Sequence, residues 1–166
     1  GAGPVLTVAL VLVRECQAQG EPVVWVTARH DSFYPPDAAA AGVALEALPV
    51  VRAIARQTAG RAAGHLLRSG AFGLVVLELP AGVLLPQPLL ARLSRTAALH
   101  ETALLVLTQK ADDTPSQGSL VSLRAVATRE RLAEGQWQIE VTALKDKRRA
   151  PGWRHQEVRG GPPGLC

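Results

Sequence analysis

The chain opens Gly1-Ala2-Gly3-Pro4-Val5-Leu6 and runs straight into an apolar helical pattern. A glycine-rich turn leading into a helix can cradle phosphate, because backbone N–H groups there point at the anion. The chemistry needs two further side chains in a Gly-Lys-Thr/Ser run: a lysine against the phosphates and a hydroxyl on Mg2+. This chain has Pro4-Val5-Leu6 instead, and neither apolar side chain neutralises phosphate or binds a metal. A second candidate is Arg29-His30-Asp31, which follows the apolar run Val23-Val24-Trp25-Val26. No nucleophile stands at a recognisable spacing from it. Polar residues gather where strands end, so this triplet reads as a strand-end loop.

The remaining chemistry-bearing residues are scattered. His65 and His100 fall in helical patterns, and no His/Cys/Asp/Glu cluster has metal spacing. Ser94 and Ser122 lack a nucleophile signature. No metal and no cofactor is expected. Cys16 and Cys166 make no disulfide framework, which fits a reducing, cytoplasmic setting.

Charge is more informative. The net charge is +4, from 18 Lys/Arg and 14 Asp/Glu. Residues 1–144 hold twelve of each sign, so the excess lies in residues 145–166. Lys145, Lys147, Arg148, Arg149 and Arg154 cluster there around Trp153, and they form the candidate surface for DNA or a partner protein. Aromatic residues with arginine dominate binding hot spots, and stacking on exposed bases is the nucleic-acid version of that chemistry. A solubilising basic tail is the plainer alternative. Trp137 is a further interface candidate, whereas Asp112 and Asp113 in the polar loop after Lys110 would repel phosphate. Arg52, Arg56, Arg61 and Arg68 read as a solvated helix face.

The elements that must position these residues follow from hydrophobic periodicity. Residues 5–19 read as a helix and 22–27 as a buried strand. Residues 31–37 carry two prolines and form a turn, with a short alanine-rich helix ending at Gly42. Residues 51–69 read as a long helix closed by Gly70, then 73–79 as a strand. A proline-rich connection over 80–88 leads to a helix at 88–99 and a strand at 103–108. Alternation over 119–128 and 135–144 predicts a strand pair turning at Glu134-Gly135. The prolines and glycines of 150–166 predict a disordered tail after a core spanning 1–149. Apolar strands separated by helices predict an α/β fold: a mostly parallel sheet covered on both faces, with the alternating pair as an antiparallel edge. No apolar run approaches the length of a membrane span.

In this order and spacing the motifs resemble the RecA recombinase core over roughly residues 4–158. The resemblance rests on Ala28-Arg29-His30 after the first strand and on Arg68-Ser69-Gly70-Ala71 before the second. It rests also on Thr108-Gln109 ending the third strand and on Leu144-Lys145-Asp146-Lys147-Arg148-Arg149-Ala150-Pro151. Carried over, it puts Val5 at the phosphate lysine and Leu6 at the metal hydroxyl. It puts Arg29 at the general-base glutamate, Glu78 at the metal-binding aspartate and Gln109 at the nucleotide-sensing glutamine. An arginine cannot take a proton from water at neutral pH. The resemblance therefore implies a scaffold without hydrolysis.

RecA-like proteins of this kind include the ImuA family, accessory to inducible translesion mutagenesis. That resemblance implies ImuB and RecA as partners, DNA through the basic C-terminal segment, and weak self-association. The alternatives are a degenerate RecA-type DNA-dependent ATPase and a SulA-type inhibitor of cell division.

Overall fold

A computed structural model describes residues 3–29, 33–109, 117–133 and 135–160, the Arg56 side chain excepted. Lys110, Asp112, Asp113, His30, Asp31, Glu134 and Cys166 lie outside the described residues. The chain forms two compact units. Residues 9–120 make one; residues 121–160, with residues 3–8, make the other.

In the larger unit a four-stranded parallel sheet has the order β2-β1-β3-β4. Its strands are β1 (Val23–Thr27), β2 (Val50–Arg52), β3 (Leu74–Glu78) and β4 (Ala103–Leu107). Every residue of β1 and β3 is buried, which is why both read as unbroken apolar runs. The helices are α1 (Gly3–Ala18), whose residues 3–8 belong to the smaller unit, α2 (Pro35–Ala40), α3 (Arg56–Ser69) and α4 (Gln87–Leu99). The α/β class holds.

One sheet face carries Val24, Val26, Val75 and Leu77, packed with Ala59, Ala63 and Leu67 of α3 and Leu90 and Leu93 of α4. The two helices approach closely because α3 presents small residues. A Cβ at Gly60 would lie only 2.8 Å from Leu89 Cδ2. The buried Gln117 ties down the connection before α4. Its Nε2 donates to the Val83 carbonyl at 3.0 Å, and its Oε1 accepts from Leu85 N at 2.9 Å. Similarly, Gln17 of α1 exchanges two hydrogen bonds with the Ala44 backbone, at 2.9 and 3.0 Å.

Gly70 ends α3 in the left-handed region, at φ 65°, its N–H donating to the Leu67 carbonyl at 3.2 Å. An added Cβ would also lie 3.1 Å from His100 Nδ1. Gly70→Ala is therefore expected to cost about 1–2 kcal/mol, read as a lower urea midpoint at unchanged slope.

The smaller unit contains an antiparallel meander of β5 (Leu123–Ala133), β6 (Gln136–Asp146) and β7 (Arg154–Gly160). Three expectations change here. The alternating strands were expected at the edge of the parallel sheet; they form a sheet of their own. The single core over 1–149 is instead divided between two units. The stretch from 150 was expected to be disordered, yet Arg154–Gly160 pairs with β6 from Thr142 to Gln136. Strand pairing satisfies backbone groups and needs no apolar side chains, so a polar edge strand leaves little compositional trace. Pro151-Gly152 belongs to the turn before β7, with Gly152 at φ 93°.

A fourth change lies at residues 51–69, expected to be one helix. Val50–Arg52 is a strand, and Ala55 is still extended before α3 begins. Arg52 is thus a strand residue and does not share a helix face with the exposed Arg61 and Arg68. Among the described residues no helix is long and apolar enough to cross a membrane.

Candidate functional site

The chain runs from β1 outward to β2, then crosses back past β1 to β3 and on to β4. The direction of winding therefore reverses between β1 and β3. Crossovers are right-handed, so connections on the two sides of that point lie on opposite sheet faces and diverge. In open α/β sheets the resulting crevice, at the carboxyl ends of the strands, is where ligands bind. Arg29, just past β1, and Glu78, the last residue of β3, stand there.

Register explains what they touch. Trp25 pairs with Val76 and Thr27 with Glu78, so Trp25, Thr27 and Glu78 share one sheet face. Glu78 is 2% exposed and Trp25 fully buried. The Trp25 indole N–H donates to Glu78 Oε2 at 3.2 Å. On the other carboxylate oxygen, Arg29 Nη1 lies 3.8 Å from Oε1, its side chain 30% exposed. Arg29 N donates to the Thr27 hydroxyl at 3.0 Å, fixing how the chain leaves β1. The Trp25 ring meets Phe33 with centroids 5.3 Å apart. A buried carboxylate is thus held by an indole N–H and a guanidinium. Such a pair stores a charge internally; it offers no general base at Arg29, and the guanidinium opposes a cation on Glu78.

The structure brings Arg29 and Glu78 together and puts Gln109 at the same end of the sheet, two residues past β4. The Gln109 carbonyl accepts from Gly82 N at 3.2 Å. Val5 and Leu6 lie half-buried in the first turns of α1. Trp25 completes the arrangement and was not singled out from the sequence, where it looks like one more core residue of a strand.

The basic candidates lie around the β6–β7 connection. Asp146 organises it: Oδ1 accepts from Arg148 N at 2.8 Å and Arg149 N at 3.1 Å, and Oδ2 from the Trp153 indole at 2.9 Å. Lys147, Arg148 and Arg149 are exposed on this loop; Lys145 is half-buried within β6. Arg154 Nη1 lies 3.6 Å from Glu140 Oε1. Trp153 is half-buried with its N–H engaged, so it braces the loop.

The Trp153 hydrogen bond, and then the Arg148 backbone N–H, hold the Asp146 carboxyl below its usual pKa. A depressed folded pKa gives stability present above the unfolded value and lost as pH falls through the folded one. The loop is therefore expected to loosen below about pH 4. The Trp153 indole N–H resonance should shift there, and Asp146→Asn should abolish that titration.

Elsewhere, His65 Nδ1 lies 2.8 Å from Arg68 Nη2 on the exposed side of α3. His100 follows α4, Ser94 is half-buried on α4, and Ser122 precedes β5. Among the described residues no group of three or more His, Cys, Asp and Glu could hold a metal ion.

No family model matches the chain, and no curated protein matches it. Among solved structures it is similar to SulA from Pseudomonas aeruginosa. The match has a TM-score of 0.53 and 24% identity, covering 63% of this chain and 87% of that one. The likeness is one of fold.

Proposed function

We propose that this chain is a non-catalytic RecA-like accessory protein of the DNA-damage response, working through surfaces that bind macromolecules. One observation carries the reading. Glu78, at the strand end where an acid would hold a metal–nucleotide, is closed off by the Trp25 indole and the Arg29 guanidinium. Val5 and Leu6, in place of a lysine and a hydroxyl, support it. By the resemblance to ImuA the protein partners are ImuB and RecA, in the cytoplasm and at the nucleoid. DNA would be met at Lys147, Arg148 and Arg149, with Lys145, Trp153 and Arg154 around them, and weak self-association fits the RecA-like core.

A titration with a fluorescent ATP analogue and Mg2+ tests this. No saturation up to millimolar nucleotide is expected; saturable micromolar binding would overturn the reading and restore the degenerate ATPase.

A second reading, the SulA-type inhibitor of cell division, is favoured by the fold match to SulA. It calls for binding to the tubulin-like division protein and indifference to DNA. The basic charge of the smaller unit weighs toward the first reading, and co-purification of partners separates the two.

A further inference from the structure

We propose that one face of the three-stranded sheet, centred on Trp137 and flanked by Arg129, Arg131 and Arg159, binds single-stranded nucleic acid. It deepens the binding-protein reading by naming a ligand class and a surface apart from the β6–β7 loop. Trp137 and Asp146 lie nine residues apart on β6, hence about 30 Å.

The surface is built by register. Arg131 on β5 pairs with Trp137 on β6, which pairs with Arg159 on β7. Directly opposed residues share a face, so an indole sits between two arginines in one row across the sheet. Arg129, two residues along β5, lies on the same face, its Cζ 4.4 Å from the Trp137 ring centroid. The Arg131 Cζ is 5.9 Å away. Arg129 and Arg131 are exposed and Trp137 half-buried. Among the described residues no carboxylate pairs with Arg129 or Arg131. Arg159 Nη2 meets Glu157 at 2.7 Å, while its Nε is buried without a hydrogen-bond partner. Three guanidiniums therefore face one carboxylate.

Gly3, the first residue of α1, lies against Arg129: a Cβ there would be 3.5 Å from Nη1. A helix N-terminus carries partial positive charge, so α1 adds to the field. The wider balance agrees. Residues 121–166 hold nine Lys/Arg and five Asp/Glu, whereas residues 1–120 hold nine of each.

Charge alone would suit any polyanion; the indole narrows the choice. A guanidinium stacked on an aromatic ring keeps its N–H edge for phosphate oxygens. Arg129 covers one face of the indole, so an unpaired base would stack on the exposed guanidinium–indole pair; a duplex keeps its bases within its own stack and an acidic peptide has none. Phosphates would be taken by the N–H edges of Arg129 and Arg131, and a base by their stack with Trp137.

The test is fluorescence anisotropy of a labelled oligo-dT, about 20 nucleotides long, titrated with the full chain from about 50 mM salt upward. Trp137→Ala is expected to weaken binding about tenfold or more, and Trp137→Phe to retain most of it. The double variant Arg129→Ala/Arg131→Ala should weaken binding and flatten the slope of log K against log salt by about 1.4. Arg129 and Arg131 are exposed and Trp137 is half-buried, so circular dichroism checks the fold of each variant. Wild-type affinity in both Trp137→Ala and the double variant would overturn the proposal. If Lys147→Ala/Arg148→Ala/Arg149→Ala alone abolished binding, this site would fall and the binding-protein reading would stand. Equal affinity for a duplex, insensitive to Trp137→Ala, would also overturn it. No binding of any oligonucleotide would do the same and would point to an acidic protein ligand.

Discussion

Trp25→Ala is expected to destabilise the protein by about 5–6 kcal/mol, because two costs add. The side chain is fully buried in β1, and truncating a buried aromatic leaves a cavity costing about 3–5 kcal/mol. It also strips Glu78 Oε2 of its indole donor, leaving a buried carboxylate with a bond unmade. Trp25→Phe separates the costs. It keeps most of the ring volume and loses the N–H, so about 1–2 kcal/mol should be lost. Urea unfolding followed by circular dichroism reads both. If Trp25→Phe cost nothing, the indole–carboxylate bond would not be holding this end of the sheet.

Removing the carboxylate is the second large effect, and its sign bears on function. Glu78→Ala leaves the Trp25 N–H buried without its carboxylate acceptor and takes this carboxylate from the Arg29 guanidinium. Breaking a buried pair costs about 3–5 kcal/mol. Arg29 is part-exposed, so the expected loss is nearer about 2–3 kcal/mol. An acid kept for metal or nucleotide chemistry behaves otherwise: its removal relieves stored strain and commonly stabilises. A stability gain in Glu78→Ala would therefore count against the closed-site reading. Arg29→Ala alone should cost about 1 kcal/mol, and the double variant less than the sum, because the two groups share an interaction.

The parts of this structure legible in the sequence are those where burial selects the side chains. β1, β3 and β4 appear as continuous apolar runs, and α1 and α4 as 3.6-residue stripes, because each must hide side chains. β2 was hidden because Val50–Arg52 is three residues long and its valines fit the helical spacing of the α3 segment. β7 was hidden because Arg-His-Gln-Glu-Val-Arg-Gly has no apolar alternation and its order comes from backbone pairing to β6. The site divides the same way. Arg29 and Glu78 could be placed by their positions after two strands. Trp25 could not, since only the parallel register sets its indole against Glu78. The row of Arg131, Trp137 and Arg159 was invisible without β7, although Trp137 itself stood out.

The two sheets also differ in how far apart along the chain their partners lie, which sets when each can form. In the meander, Arg131 meets Trp137 across a short turn, and the next hairpin follows directly. Hairpins of this kind close in roughly 1–10 μs. The parallel sheet must join Val23 to Leu74 across an intervening strand and two helices, and such long-range pairing is slow. During refolding the C-terminal strands should gain amide protection first, with β1 and β3 later, reversing the order in which the ribosome delivers them. Pulse-labelled hydrogen exchange would show it. A newly made chain would then expose the valines of β1 until β3 has emerged, some fifty residues on, and that interval is where aggregation would start.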